Sequence, residues 1–317
     1  MIKYSVVVPL YNEELVIAET YKRLTAVMQQ ADGEYELVFV NDGSRDTTEQ
    51  MAKDICKADS CVKLINFSRN FGHQTAITAG MDNASGQAVV VIDADLQDPP
   101  EVILQMIEKW KQGYDVVYGK RTVRKGESIF KKLTAKIFYR VLASMTNIDI
   151  PVDAGDFRLI DRKVCDAMCE INEKNRYVRG LVSWVGFKQG SVEYVRDERF
   201  AGETKYPLKK MIKFASDGIT SFSYKPLKVA GYMGYIVSFL SFAYLIYVVI
   251  NALVSGGFVQ GWASTVAIML FFNGIMLIVL GTMGEYIGRI YDECKNRPLY
   301  IISEKVGFDD YENNSHR

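Results

Sequence analysis

Along the first 120 residues, hydrophobic positions come in short apolar runs separated by longer stretches with helical spacing. Ser5–Pro9 (SVVVP), Glu36–Val40 (ELVFV), Val62–Asn66, Ala88–Ile92 and Asp115–Tyr118 are rich in β-formers and read as strands. The intervening segments 13–30, 46–58, 73–84 and 99–112 read as helices. Two have clear starts: Ser44-x-Asp46-Thr47 is a capping sequence, and Pro99-Pro100-Glu101 opens the fourth helix. Strands alternating with helices predict an α/β fold with a doubly wound, mostly parallel sheet. Right-handed crossovers then gather the loops after the strands along one edge, where open α/β sheets bind ligands.

From Val229 the pattern changes. Residues 229–250 (VAGYMGYIVSFLSFAYLIYVVI) carry no charge, and residues 262–284 (WASTVAIMLFFNGIMLIVLGTMG) repeat the pattern. Each is long enough to cross a hydrocarbon core of about 30 Å. A hairpin buried in a soluble core is the plainer alternative, disfavoured by two charge-free runs of this length. Lys225 and Lys228 precede the first run; Arg289, Lys295 and Arg297 follow the second. The positive-inside tendency puts both outer flanks in the cytoplasm and the loop 251–261 outside. The expected organisation is a cytoplasmic domain over 1–225, a transmembrane hairpin over 226–288 and a cytoplasmic tail over 289–317. Met1-Ile2-Lys3 runs straight into a strand, so no signal peptide is expected.

Charge and composition narrow the chemistry. The 317 residues hold 38 Lys and Arg against 38 Asp and Glu, with pI near 6.8, so nothing global calls for nucleic acid. The five cysteines lack metal-site spacing, which excludes a zinc site or disulfide framework. With only two histidines, Ser-His-Asp or Cys-His catalysis would rest on His73 and is not expected. No GxGxxG or GxxxxGK[ST] pattern is present.

The strand ends carry the candidate chemistry. The first is followed by Pro9-Leu10-Tyr11-Asn12-Glu13-Glu14, the second by Asn41-Asp42-Gly43-Ser44, the third by Ser68-Arg69-Asn70 and the fourth by Asp93-x-Asp95-x-Gln97. Such a set would be a poor core and a good ligand rim. Two carboxylates one residue apart suit Mg²⁺ or Mn²⁺, hard cations that take oxygen ligands and share substrate phosphates. Asn12, Asp42-Gly43 and Ser44 are also ordinary turn and cap formers. Residues 128–144 and 207–222 set apolar residues beside a basic stripe, as interfacial helices do on anionic lipid. Surface helices of the globular domain would show the same pattern.

These residues resemble family-2 glycosyltransferases of the GT-A fold, and more narrowly the polyprenyl-phosphate glycosyltransferases, which include dolichol-phosphate mannosyl and bactoprenol-phosphate glucosyl enzymes. The matching stretches are VVVPLYNEE, VNDGSRDTT, RNFGHQTAITAG, DADLQDPP, DAGDFRL (153–159) and RFAGETKYPLKK (199–210), in order over most of residues 4–210. The two-span C-terminus matches the bactoprenol branch. The resemblance implies that Pro9, Tyr11, Asn12 and Glu13 hold the nucleobase and ribose, with Asp42 reading the base edge. It implies Asp93 as a ribose or diphosphate-side carboxylate, Asp95 as metal ligand and Gln97 beside it. Asp156 falls where the bactoprenol branch keeps an acidic residue proposed as base; Asp153 is its rival, and Arg158 is a candidate ion-pair partner for either. Arg199 and Lys205, within a matching stretch, and Arg121 and Arg124, ahead of the first amphipathic stretch, are the cations placed to meet the lipid phosphate.

The activity this resemblance implies is metal-dependent, inverting transfer of a hexose from a UDP-sugar to undecaprenyl phosphate at the cytoplasmic membrane face. Glucose is the first expectation, ahead of N-acetylglucosamine and mannose. The implied partners are a nucleotide sugar, a polyprenyl phosphate and the membrane, with room for a homo-oligomer. An inert nucleotide-sugar-binding scaffold is the alternative from another class, opposed by the intact acidic residues. A processive synthase would carry a Gln-x-x-Arg-Trp motif, absent here.

Overall fold

A computed structural model describes residues 2–122, 154–197, 225–255 and 261–308. Asp153, Arg124, Arg199, Lys205 and the amphipathic stretches 128–144 and 207–222 lie outside the described residues. The N-terminal part runs β1 (Tyr4–Leu10), α1 (Ile17–Met28), β2 (Tyr35–Asn41), α2 (Thr48–Ala58), β3 (Val62–Phe67), α3 (His73–Asn83), β4 (Ala88–Val91), α4 (Val102–Lys111) and β5 (Val116–Arg121). It continues with β6 (Ala154–Asp161), α5 (Arg162–Cys169), α6 (Val178–Trp184) and β7 (Gln189–Tyr194). Two long helices, α7 (Lys225–Ser255) and α8 (Trp262–Cys294), precede a last strand, β8 (Ile302–Val306).

All of these strands join one sheet in the order β7-β5-β6-β4-β1-β2-β3-β8. The central strands β4, β1, β2 and β3 are parallel, as their continuous apolar runs imply for strands covered on both faces. Side chains alternate between two core layers. On one face Tyr4, Val6, Val8 and Leu10 pack with Ile17, Leu24 and Met106. On the other, Val7 meets Val38, Val40, Ile65, Ala76 and Ile77.

The sheet is less uniformly parallel than the expected doubly wound one. β6 runs antiparallel between β4 and β5, and β8 runs antiparallel along the outer edge of β3. Neither has the apolar signature of a strand: AGDFRLID places a buried aspartate and arginine in the ladder, and ISEKV is the charged pattern of an edge strand. The second helix is capped by Asp46, whose carboxylate accepts from Thr48 N at 3.1 Å, and not by its N-cap residue Thr47, which makes no side-chain cap bond.

Helices α7 and α8 exceed the expected spans 229–250 and 262–284, with 31 and 33 residues. They pack against each other and leave Tyr235, Phe239, Phe242, Phe271, Leu277 and Ile278 exposed. Among the described residues, Phe271–Cys294 is long and apolar enough to cross a membrane. The described part of the stretch expected as a tail is built into the fold. Tyr300 stacks on Phe67 with ring centroids 5.2 Å apart and donates to Asp82 at 2.8 Å. Ser68 N donates to the Ile301 carbonyl at 3.0 Å.

Close approach of α3 to the sheet depends on Gly80, where a Cβ would lie 2.1 Å from Val7 Cγ1. Alanine would gain about 1 kcal/mol of helix propensity, whereas overpacking of this kind costs about 1–3 kcal/mol and more when backbone must move. Gly80→Ala is therefore expected to lower the urea unfolding midpoint of the detergent-solubilised protein. An unchanged or higher midpoint would show that α3 lifts off β1 without cost.

Candidate active site

Parallel pairing brings the ends of β1 to β4 together, and their loops are laced by side-chain bonds. Asn12 takes a left-handed backbone (φ 54°), donates its N–H to Ser44 Oγ at 3.0 Å, and accepts from Arg45 N at 2.9 Å. Glu13 N donates to Thr48 Oγ1 at 2.8 Å, and Glu14 accepts from Thr47 N and Oγ1. Pro9 is buried in β1 and Tyr11 is half-buried just beyond it. Asp42 is buried, and its carboxylate accepts from Phe71 N at 2.6 Å and Gly72 N at 3.0 Å. Burial raises its pKa against the pull of those amides. In this arrangement Asp42 holds the turn that starts α3.

A second group forms where β4 ends. His73, first residue of α3, sets Nε2 3.4 Å from Asp93 Oδ1 and 3.4 Å from Asp156 Oδ2. Asp156 lies on β6 and takes a bidentate pair from Arg179, with Nε–Oδ1 at 2.8 Å and Nη2–Oδ2 at 3.0 Å. Gln74 Nε2 approaches the same carboxylate at 3.4 Å. A buried carboxylate, Asp156, and a half-buried one, Asp93, thus face two cationic groups, so the charges largely balance. Burial alone would discharge His73, but Asp93 and Asp156 outweigh it and lift its pKa to about 9. Burial raises Asp93 to about 6 despite His73, helped by Asp156 and Asp95. Burial also pushes Asp156 upward, yet Arg179 and His73 together hold it well below the usual carboxylate range. Asp156 is hydrogen-bonded by Arg179, whereas Arg158, itself buried, donates to the Gly155 carbonyl at 2.8 Å and meets Asp156 through charge alone.

The third group follows Asp93. Asp95 Oδ1 accepts from Gln97 N at 3.2 Å, a tight turn that Leu96 completes with φ 56°. Asp98, 1% exposed, accepts from Tyr194 Oη at 2.5 Å and Arg121 Nη2 at 3.2 Å, with Arg196 Nε at 3.6 Å. Arg121 reaches this position over Gly155, where a Cβ would lie 2.6 Å from Nη2.

The donor set at the end of β4 suits a divalent cation only in part. Among the described residues, no three His, Cys, Asp or Glu side chains are grouped to hold a metal. Asp93 Oδ1 is nevertheless buried without a hydrogen bond, and Asp95 is two residues away. Carboxylate oxygens with diphosphate and water completing the shell match the habits of Mg²⁺.

Several members of the site escaped sequence reasoning: His73, Gln74, Arg179, Asp98 and Tyr194. His73 follows a glycine at a helix start inside RNFGHQTAITAG, and Asp98 is the third acid of DADLQDPP. Those are the only cues the chain offers for them. Arg179 and Tyr194 have none, because only the paths of α6 and β7 bring them here.

This central parallel sheet, with a strand inserted antiparallel beside β4 and an acidic turn at the edge of β4, is the architecture of a GT-A glycosyltransferase. Residues 5–169 match the glycosyl transferase family 2 description, residues 225–290 match the GtrB C-terminal hairpin, and the chain belongs to glycosyl transferase family 2. It is 63% identical over 308 residues to the uncharacterized glycosyltransferase YkcC of Bacillus subtilis (strain 168), covering 97% of this chain and 95% of that one. It is 44% identical over 302 residues to the bactoprenol glucosyl transferase of Shigella phage SfII, covering 95% and 98%. Among solved structures, glucosyl-3-phosphoglycerate synthase from Mycobacterium tuberculosis, with Mn²⁺, UDP-glucose and phosphoglyceric acid, aligns at TM-score 0.44 and 20% identity over 68% of this chain and 76% of that one.

The raised pKa of His73 can be read directly, because the chain has only two histidines. Its charged form is favoured by folding, so its contribution to stability is complete below the unfolded value near 6.5 and is lost as pH rises through about 9. NMR titration of the imidazole should give a midpoint near 9, falling in Asp156→Asn. A midpoint below 7 in the parent protein would refute the proposed charge balance.

Proposed function

We propose that this glycosyltransferase moves a hexose, glucose first, from a UDP-sugar to undecaprenyl phosphate at the cytoplasmic face of the cell membrane. One observation carries the reading: likeness to bactoprenol glucosyl transferases runs almost end to end, hairpin included. The acidic edge at Asp93 and Asp95 supports it. So do α7 and α8, whose exposed apolar surface is far larger than soluble monomers leave in water.

The chemistry is a single inverting displacement at the anomeric carbon. A Mg²⁺ or Mn²⁺ held by Asp95, with Gln97 beside it, would stabilise the charge that builds on the departing diphosphate. Pro9, Tyr11, Asn12 and Glu13 line the nucleoside side, and Asp93 faces the ribose or diphosphate. A phosphate monoester has its second pKa near 6, so the acceptor arrives ionised and needs little base catalysis. Asp156, ionised and engaged by Arg179, serves better to keep His73 charged than to take a proton. His73, Arg179 and Arg121, with Arg124, Arg199 and Lys205, are the cations that draw two anions together.

Labelled sugar transfer to undecaprenyl phosphate tests this reading across UDP-glucose, UDP-N-acetylglucosamine and GDP-mannose. Asp95→Asn should cut turnover by about 10²-fold or more, the scale of losing a key charge-stabilising group, with an unchanged unfolding midpoint. Near-normal transfer by that variant, or full parent activity in excess chelator, would remove the metal assignment. Equal use of the free polyprenol would remove the phosphate nucleophile.

The proposed topology puts both termini and the catalytic domain in the cytoplasm, with the segment 251–261, from the last turn of α7 to the start of α8, outside. Ser255→Cys in a cysteine-free background should react with an impermeant maleimide added outside intact cells. Reaction only after the cytoplasmic face is opened would overturn the orientation.

A further inference from the structure

We propose that Glu304, in the strand that follows the hairpin, is a positioning residue for the donor pocket and sets the loop 11–14 through a chain of buried amides. The inference rests on the donor-pocket reading given above. Glu304 Oε2 accepts from Asn66 Nδ2 at 3.1 Å, and Asn66 Oδ1 accepts from Asn41 Nδ2 at 3.0 Å. Asn41 Oδ1 accepts from Ser44 N at 3.1 Å, and Ser44 Oγ accepts from Asn12 N at 3.0 Å. The bond from Arg45 N to Asn12 Oδ1, at 2.9 Å, ends the series.

The chain has a direction, fixed at its two ends by the Ser44 amide, which only donates, and by Glu304, which only accepts. An ionised carboxylate only accepts, whereas each asparagine presents one accepting and one donating end. Asn66 must therefore turn its NH₂ toward Glu304 and its oxygen toward Asn41. Asn41 must in turn aim its NH₂ at Asn66 and its oxygen at the Ser44 amide. Both asparagines are 1% exposed, so neither has water to complete an alternative pattern. If Asn66 flips, its NH₂ meets the NH₂ of Asn41, and the mismatch passes to the Ser44 turn that Asn12 leans on. Buried donors left in this state are costly.

Glu304 is itself well held. Lys53 Nζ lies 2.7 Å from the same Oε2, and the pairing of β8 with β3 places Glu304 opposite Asn66. Because β8 begins eight residues after α8 ends, the series also ties the hairpin's exit to the nucleotide side of the site.

The test compares Glu304→Ala and Glu304→Gln in the full-length protein in nanodiscs. Gln keeps an accepting oxygen for Asn66; Ala does not. UDP affinity by calorimetry, with Mg²⁺ present, should fall about three- to tenfold in Glu304→Ala, the worth of one hydrogen bond. It should return to within about twofold of the parent in Glu304→Gln. In parallel, hydrogen exchange of peptides covering 11–14 and 43–46 should accelerate in Glu304→Ala alone. Unchanged exchange in those peptides, or a Gln variant as impaired as the Ala variant, would overturn the positioning role. If the parent binds neither UDP nor GDP, the donor-pocket reading fails, and the exchange result decides the positioning role alone.

Discussion

Burial of β1 between two parallel neighbours is the constraint from which the catalytic half follows. All seven of its residues are buried, so helices must cover both faces. Parallel pairing with β2 and β4 then requires helical crossovers, and these deliver every polar strand end to one side. Gly80 brings α3 close enough to β1 for His73, at the start of that helix, to reach the end of β4. Packing at the sheet centre and chemistry at its edge are in this sense one problem.

At that edge, electrostatics take over from packing. Asp156 and Asp98 are carboxylates in surroundings too dry to leave them unpaired. Asp156 is matched by Arg179 and His73, and Asp98 by Arg121, Arg196 and Tyr194. Asp93 is matched least, so burial raises its pKa, and one of its oxygens is left without a hydrogen bond. A site arranged this way has cations fixed in advance, and preorganised charge of this kind stabilises negative charge that develops nearby.

The C-terminal part is joined to the catalytic part by more than chain continuity. The end of α8 meets the turn after α5, where Lys174 N donates to Glu293 at 2.7 Å. Tyr300 then docks on Phe67 and Asp82, and β8 closes the otherwise open edge of β3. An edge strand left bare is a liability, and a charged strand such as ISEKV caps it without inviting another. Hairpin and sheet therefore constrain each other through short, well-packed contacts.

Elements whose identity depends on local pattern were legible in the chain itself: five strands with continuous apolar runs, four helices between them, two long apolar segments, and the acidic turn at Asp93 and Asp95. Periodicity and turn chemistry act over a few residues, so the order of residues is enough to reveal them. What tertiary structure alone decided was which polar groups meet. β6 enters the sheet with Asp156 and Arg158 buried, a pattern that hides its strand character until β4 and β5 flank it. Arg179 and Arg158 look alike as residues, yet the path of α6 gives the first the hydrogen bonds to Asp156, while the second hydrogen-bonds a backbone carbonyl. His73, an ordinary helix-start residue by pattern, becomes central because two carboxylates from β4 and β6 converge on it. Partnerships between residues 20 to more than 200 positions apart are set by the geometry of closure, on which local sequence preferences have no hold.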